Sequence, residues 1–521
     1  MVWAASPTRV APLHNFLATS RRWLLLAIFV GLVFLFATGG PVVAGVLMGL
    51  AALAATISVA SRHPQFAVVG IAAWLPLQVP VLAFLYKHGA PFILVKDLGY
   101  LKEFWAMSLV VAAVRASHRR KVKADLLDWL AAGYVGVATL YLILPFADSA
   151  ALGGLPFGAR LSAWRLDCLF VVVFLCIRRL SFDPIVIRRL RLAVFISGVI
   201  LAGFALWESA SNTGFNNFLR NTLDYPGYRS QVLHNQLAIT SGTLLSTGSI
   251  GNTTYVRGGS LFNDPLVFGF FMVIPFGIAL ERVAARRPSL LAVAAAAGGL
   301  IGILLSITRG AVLASAFVVL FAMAFGISRV SPSRLRLVLT VFLAGVVLLP
   351  MAGSSSLLVR METIFNPSKD TGTQNHVSRT YQGYVDLVSH PFGYGLGTNT
   401  TTATLYNGDT VVITENSYLE TGDELGLPAL VFYFGALMVL LAKLRQRSKR
   451  AGEGAGLAGA AWMTGWGLTL GAMVLETWYE LPVALVFWTI AGLALADTGT
   501  AELPETAARR SDAPNAAVTA F

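Results

Sequence analysis

Charge is scarce in this chain. Only 12% of its 521 residues are Asp, Glu, Lys or Arg, where a soluble globular domain carries about 25%. With 56% hydrophobic residues and a mean hydropathy of +0.69, an ordinary water-soluble globule is excluded. Cysteine is nearly absent. Cys168 and Cys176 lie eight positions apart in one apolar stretch, about two helical turns, too far for a disulfide. The seven histidines show no metal-ligand spacing, and neither HExxH nor CxxC occurs, so the sequence offers no zinc site. No P-loop, no GxGxxG after a strand and no internal repeat is found, which removes the nucleotide-binding and solenoid classes. No metal and no cofactor are expected.

What is there is hydrophobic length. Runs of about 20 apolar residues recur along the chain, enough to cross a bilayer. Fourteen spans are expected, near 23–38, 41–60, 66–85, 98–114, 129–146, 164–177, 192–208, 261–280, 289–307, 310–328, 336–351, 426–442, 456–475 and 482–497. The expected fold class is an all-α integral membrane protein, a polytopic bundle of about 12–14 helices. Arg21 and Arg22 precede the first run as they would in a signal peptide. A second run follows at once, so an uncleaved anchor is expected.

A net charge of +13 would suggest nucleic acid in a soluble protein. Here the basic residues concentrate in alternate loops: "RASHRRKVK" at 115–123, "RRLSFDPIVIRRLR" at 178–191, "ERVAARR" at 281–287, "RVSPSRLR" at 329–336 and "KLRQRSKR" at 443–450. With both termini in the cytoplasm, all of these fall inside, as the positive-inside rule requires. No nucleic-acid partner is expected. The expected division is helices over 1–208, an outside loop at 209–260, helices over 261–351, a large outside loop at 352–425, helices over 426–497 and a disordered tail from 498. Long ordered loops in compact proteins tend to carry function. Trp74, Trp105, Trp207 and Trp478 are expected as interfacial anchors.

Basic residues on the outside defy this bias and are the informative ones. Arg257 lies in "YVRGGSLFNDPLVFGFF", Arg309 in the turn "SITRGAVLAS", and Arg360 and Arg379 in the large loop. Arginine presents a planar fork of donors suited to phosphate oxygens. Several facing one cavity would bind a pyrophosphate at membrane level. The plain alternative is snorkelling to lipid headgroups, or pairing with Asp264 or Glu208. At Arg309 function is favoured, because Gly310 beside it permits close backbone approach. "HPFGYGLG" places glycines at 393, 395 and 397, predicting irregular backbone that supports a site. Residues 379–389 are amphipathic, with Tyr381, Tyr384, Val385 and Val388 suited to a membrane surface.

"RGGSLFNDPLVFG", "TRGAVLAS", "SRTYQGYVDLVSHPFGYGLG" and "ENSYLETGDELGLPAL" follow one another in this order. Over about 250–440 the chain thereby resembles the O-antigen ligase and Wzy-type polymerase family of bacterial envelope glycan assembly. The resemblance implies an inner-membrane glycosyltransferase of the GT-C type with a periplasmic active site. Its donor would be a glycan on undecaprenyl pyrophosphate, and its partners the lipid-linked donor and acceptor, membrane lipids and a chain-length regulator. Arg257, Arg309 and Arg379 match the family's pyrophosphate-holding arginines. Arg379 and Gly395 keep the sixteen-residue Arg-to-Gly interval of polymerases. Ligases carry His-Asn before this "SYL"; here the pair is Glu415-Asn416. That departure favours a polymerase, with Glu415 as the general base, its pKa raised toward neutrality by partial burial. Glu415 and Arg309 are the expected catalytic residues. Arg257, Arg379, Asn416, Tyr418, Arg360 and His390 are expected to bind substrate, with His376 and His390 as reserve bases. Asp423 and Glu424 are expected near a helix N-terminus. The alternatives are a ligase acting on lipid A core and, in a different class, a flippase with charges lining a central cavity.

Overall fold

The computed structural model describes residues 51–119, 123–144, 155–233, 244–325, 371–399 and 414–497, apart from a few positions inside these ranges, and single positions between 333 and 344. The expected span 23–38, most of 336–351, Arg360 and the tail after 497 lie outside the described residues.

The chain is an α-helical membrane protein with one short β-hairpin among the described residues. Its first helices are α1 (Pro64–Trp74), α2 (Gln78–Lys87), α3 (Phe92–Gly99), α4 (Leu101–Arg119), α5 (Leu126–Ile143), α6 (Phe157–Arg178) and α7 (Pro184–Ala210). Short helices α8 (Asn212–Asn217) and α9 (Tyr225–Gln231) follow, then an antiparallel hairpin of β1 (Thr247–Ile250) and β2 (Thr253–Val256). The remaining helices are α10 (Pro265–Val283), α11 (Leu290–Leu305), α12 (Arg309–Phe325), α13 (Thr371–Ser389), α14 (Ser417–Ser448), α15 (Glu453–Gly471) and α16 (Leu481–Leu495).

Local chemistry sets several helix starts. Asp183 and Asp264 each precede a proline at the first helical position, where the missing N–H costs nothing. Asp264 accepts the N–H groups of Leu266 at 2.8 Å and Val267 at 3.2 Å. Asp125 and Asp128 cap α5 reciprocally. The helices then pack around α10, which touches α7, α11, α12, α15 and α16.

Among the described residues, α5, α7, α10 and α14 are long and apolar enough to cross a membrane. α1 and α2 form a fifth candidate, bent by 78° at their junction, where one straight span was expected at 66–85. α11, α12 and α16 are apolar but shorter. The expected spans 98–114, 164–177 and 456–475 coincide with α4, α6 and α15. α6 runs 22 residues but carries Arg160, Arg165 and Asp167. Arg165 pairs with Glu103 of α4 at 3.2 Å, a cross-helix partner that hydropathy does not register.

One end of the bundle is bound by ion pairs. Glu453 meets Arg191 at 2.9 Å and Arg282 at 2.7 Å. Arg178 meets Asp128 at 2.6 Å and Asp125 at 2.9 Å, and Lys443 joins Asp125 at 3.0 Å. These are the basic clusters at 178–191, 281–287 and 443–450, so three of the loops expected on one side do share an end. At the opposite end, residues 209–233 and the β1–β2 hairpin are structured. Phe215, Leu219, Tyr225 and Tyr228 form a small core with Leu82, Ala83 and Val95 of α2 and α3.

Candidate functional site

At that opposite end, four chain segments meet. The first follows β2. Glu208, at the end of α7, accepts the backbone N–H groups of Gly259 at 3.0 Å and Ser260 at 2.7 Å. Gly258 donates to the Leu305 carbonyl at 3.0 Å. This strap presents Arg257, whose Nη2 donates to Thr308 Oγ1 at 3.2 Å. Glu208 and Asp264 are thus committed to backbone N–H groups, and neither is the arginine partner considered from sequence.

The second segment is the turn before α12. Ile307 sits at φ +51°, a left-handed conformation costly for a β-branched residue. Thr308 Oγ1 anchors the turn on the Pro265 carbonyl at 2.9 Å. Arg309 follows as the first residue of α12, so the Arg257 guanidinium touches the residue adjoining Arg309. Gly310 does not face a ligand as expected. A Cβ there would stand 2.9 Å from both Leu475 and Phe270, so its close approach serves helix packing.

The third segment is the start of α14 with the 472–480 loop. Asn416 caps α14: its Oδ1 accepts from Tyr418 N at 3.0 Å and Leu419 N at 3.2 Å, while Nδ2 donates to the Met473 carbonyl at 2.8 Å. Tyr418 is buried, and its hydroxyl donates to the Thr469 carbonyl at 2.8 Å. Both residues were expected to bind substrate. Both are turned inward with their polar atoms engaged, and they hold the site's frame instead. A helix-capping Asn followed by an apolar run is legible locally, so the signal for Asn416 was present. Trp478, expected at the interface, is 2% exposed and packs on Phe487 and Trp488.

The fourth segment is α13. Its apolar residues Val377, Tyr381, Tyr384, Val385 and Val388 are all exposed on one face, and Phe392 beyond it is exposed too. The opposite face packs on the start of α14. A Cβ on Gly383 would lie 2.5 Å from Thr414, and one on Gly422 would lie 2.7 Å from Leu387. That contact sets the register of α13 and brings its first turns to Glu415.

Glu415 lies just ahead of the cap, at φ +53°. A non-glycine residue there carries strain of order 1–3 kcal/mol. The conformation aims the carboxylate at α13. Its Oε2 meets His376 Nδ1 at 2.9 Å, and its Oε1 accepts from Arg379 Nη1. Burial pushes the Glu415 carboxyl up, but the His376 hydrogen bond and the Arg379 charge outweigh burial and hold it below its ordinary 4.5. The expected rise toward neutrality is reversed. A carboxylate with both oxygens occupied and a depressed pKa is a weak base.

Glu476, in the loop after α15, is recessed: solvent still reaches it, but protein surrounds it on most sides. Burial, with the charges of Glu415 and Asp264, pushes its carboxyl up to about 7, and Arg379 opposes the rise. Glu476 thus belongs to the same electrostatic neighbourhood.

Below this cluster runs the glycine loop. Gly393, Gly395 and Gly397 all have positive φ, at 72°, 114° and 84°. The loop folds over a break in α14 at Gly426, where φ is 77°. Glu424 holds it, accepting Gly397 N and Asn399 N, each at 3.0 Å. Asp423 accepts from Asn399 Nδ2 at 2.9 Å. Leu427 N donates to the Pro391 carbonyl at 2.8 Å. Neither acid serves the helix N-terminus as expected. Nothing local in the sequence signals the pairing, because the partners lie 24 to 27 positions upstream.

Arg379 contacts the carboxylate directly, and Arg257 and Arg309 are connected to it through intervening residues. Arg257 touches Thr308, Gly310 packs on Leu475, Leu475 O accepts from Ser417 Oγ at 3.2 Å, and Glu415 pairs with Arg379. His390 is not part of this set. It stacks on Tyr394 at 4.3 Å near the far end of α13, about 21 Å along the axis from His376 at 1.5 Å per residue. Among the described residues, no group of three or more His, Cys, Asp or Glu is placed to hold a metal ion.

Part of the chain matches a known family. The family Wzy_C, described as O-Antigen ligase, matches residues 292–434. Over those residues the chain is similar to the O-antigen ligase and Wzy-type family. The O-antigen ligase domain so delimited spans α11, α12, α13 and the first half of α14, and contains Arg309, His376, Arg379 and Glu415. Arg257 lies ahead of it and reaches it through Thr308. No curated protein matches the chain.

Proposed function

We propose that the protein is a bacterial inner-membrane glycosyltransferase that polymerises undecaprenyl-pyrophosphate-linked repeat units at its periplasmic face. One observation carries the reading: an O-antigen ligase domain whose Glu415 is bonded to Arg379, with the Arg257–Thr308–Arg309 corner connected to it through the 472–480 loop. Glycosyl transfer from a lipid pyrophosphate needs a cationic cradle for the leaving group and an acceptor of one proton. The site has candidates for both at the end of membrane-length helices. The acceptor oxygen attacks the anomeric carbon, the bond from that carbon to the pyrophosphate oxygen breaks, and configuration inverts. Arginine donors offset the charge that accumulates on the leaving pyrophosphate. The exposed apolar face of α13 suits a membrane surface beside this cradle. The ion-paired end, rich in Lys and Arg, would face the cytoplasm, with both termini on that side.

A carboxylate at the position where ligases carry histidine favours polymerisation. The family's description favours the second reading, a ligase that delivers the glycan to lipid A core. The acceptor separates them. Purified full-length protein in lipid, given a synthetic undecaprenyl-pyrophosphate-linked repeat alone, is expected to yield a ladder of longer lipid-linked products. Transfer only after lipid A core is added would establish the ligase. No transfer to either would overturn the glycosyltransferase reading and leave a flippase.

A further inference from the structure

The site holds one imidazole in a position that the sequence motif does not supply. His376 comes from α13, 39 positions before Glu415, and its Nδ1 lies 2.9 Å from Glu415 Oε2. A carboxylate on Nδ1 keeps the proton there and leaves Nε2 as the lone-pair nitrogen. No described residue hydrogen-bonds Nε2. The His376 side chain is 22% exposed, open enough to meet a sugar hydroxyl. Glu415 is built to hold it. Its backbone is in the left-handed region, its second oxygen is tied by Arg379, and the Gly383–Thr414 contact sets the register of α13. His376 and Arg379 are also three positions apart on one helix, adjacent on its surface.

Resting on the glycosyl-transfer reading, we infer that His376 is the catalytic base and Glu415 its positioning residue. The proton of the acceptor hydroxyl passes to His376 Nε2 as the acceptor oxygen bonds to the anomeric carbon. The electron pair of the breaking bond leaves with the pyrophosphate, and the imidazolium returns its proton to water. Glu415 remains ionised throughout, stabilising the imidazolium while Arg379 balances its charge.

The test is the rate of transfer from the synthetic lipid-linked donor by full-length protein in lipid, measured across pH. His376→Gln is expected to lower kcat about 10²–10⁴-fold with little change in donor KM. The acid limb of the wild-type pH–rate profile should disappear with it. His376 meets Glu415, which also binds Arg379 of the same helix, and Glu476 of the 472–480 loop feels the charges of Glu415 and Arg379. Burial pushes the Glu476 carboxyl up to about 7, so Glu476→Gln is run in parallel and should keep the limb. His376→Gly should regain activity with added imidazole, which separates lost chemistry from lost folding. The double variant Glu415→Gln/His376→Gln should be no slower than His376→Gln alone, because the two residues act as a unit. If the wild type transfers and His376→Gln retains its rate and acid limb, this inference falls and the function stands. Loss of activity without imidazole rescue, in a protein of unchanged melting temperature, would also overturn it. If the wild type transfers to no acceptor, the functional reading fails and takes the inference with it.

Discussion

Arg309→Ala is expected to lower the initial rate of glycan transfer about 10²–10³-fold, the usual cost of removing one donor from a charge-stabilising site. The reason lies in where Arg309 stands. The strained Ile307 turn and the Thr308 anchor on Pro265 deliver it to the first position of α12, beside the residue that Arg257 touches. A helix N-terminus already favours anions, and a guanidinium there adds a full charge and a planar fork. Charge on the pyrophosphate grows as the glycosidic bond breaks, so the loss should fall on kcat more than on donor KM. Arg309→Lys keeps the charge but not the fork, and is expected to recover only part of the rate. Single-turnover transfer with labelled donor reads both parameters. A wild-type rate in Arg309→Ala would remove this residue from the site.

Glu424→Gln is expected to unmake the glycine loop. The two carboxylate oxygens accept from Gly397 N and Asn399 N in a buried setting. An amide keeps one acceptor oxygen and turns a donor toward the other N–H. The cost is about 2–5 kcal/mol, from weakening charge-assisted bonds and stranding one buried donor. The loop lies on the Gly426 break, and Tyr141 of α5 also donates to the Phe392 carbonyl, so the damage should spread to the packing of α5 against α14. A lower melting temperature and faster proteolysis within 390–399 are the expected readouts. Unchanged stability would show that the loop is held by its backbone contacts alone.

The legible part of this protein was what composition and periodicity encode. Scarce charge and recurring apolar runs were enough for an all-helical membrane protein. Three alternating glycines foretold irregular backbone, and all three have positive φ. Arg379 and Glu415, both singled out from motifs 36 positions apart, are in direct contact. What failed was direction. The Asn416 cap was legible in "ENSYL", but nothing there says that Glu415 points to α13 or that Tyr418 points inward; that follows from α13 and α15 packed around them. Glu424 was opaque because its partners are remote in sequence and lie on backbone N–H groups that any residue possesses. Hydropathy did not show the bend between α1 and α2 or the cross-helix charge pairing of α6. Asp167, a charge within the expected span 164–177, is 2% exposed and faces protein. Histidine was judged by motif position, so His376 ranked below Glu415 until tertiary contact put its ring on the carboxylate.

The central claim is that one end of the bundle, where Glu415, Arg379, Arg309 and Arg257 are linked, receives a glycan on a polyprenyl pyrophosphate. It is tested most directly by photo-crosslinking with a synthetic polyprenyl-pyrophosphate glycan bearing a diazirine on the sugar next to the pyrophosphate, followed by peptide mapping. The account predicts crosslinks in the segments around 257–264, 307–310, 376–383 and 414–417, suppressed by excess unlabelled donor. Suppressible crosslinks confined to the ion-paired end, among residues 178–191, 281–284 or 443–453, would contradict it.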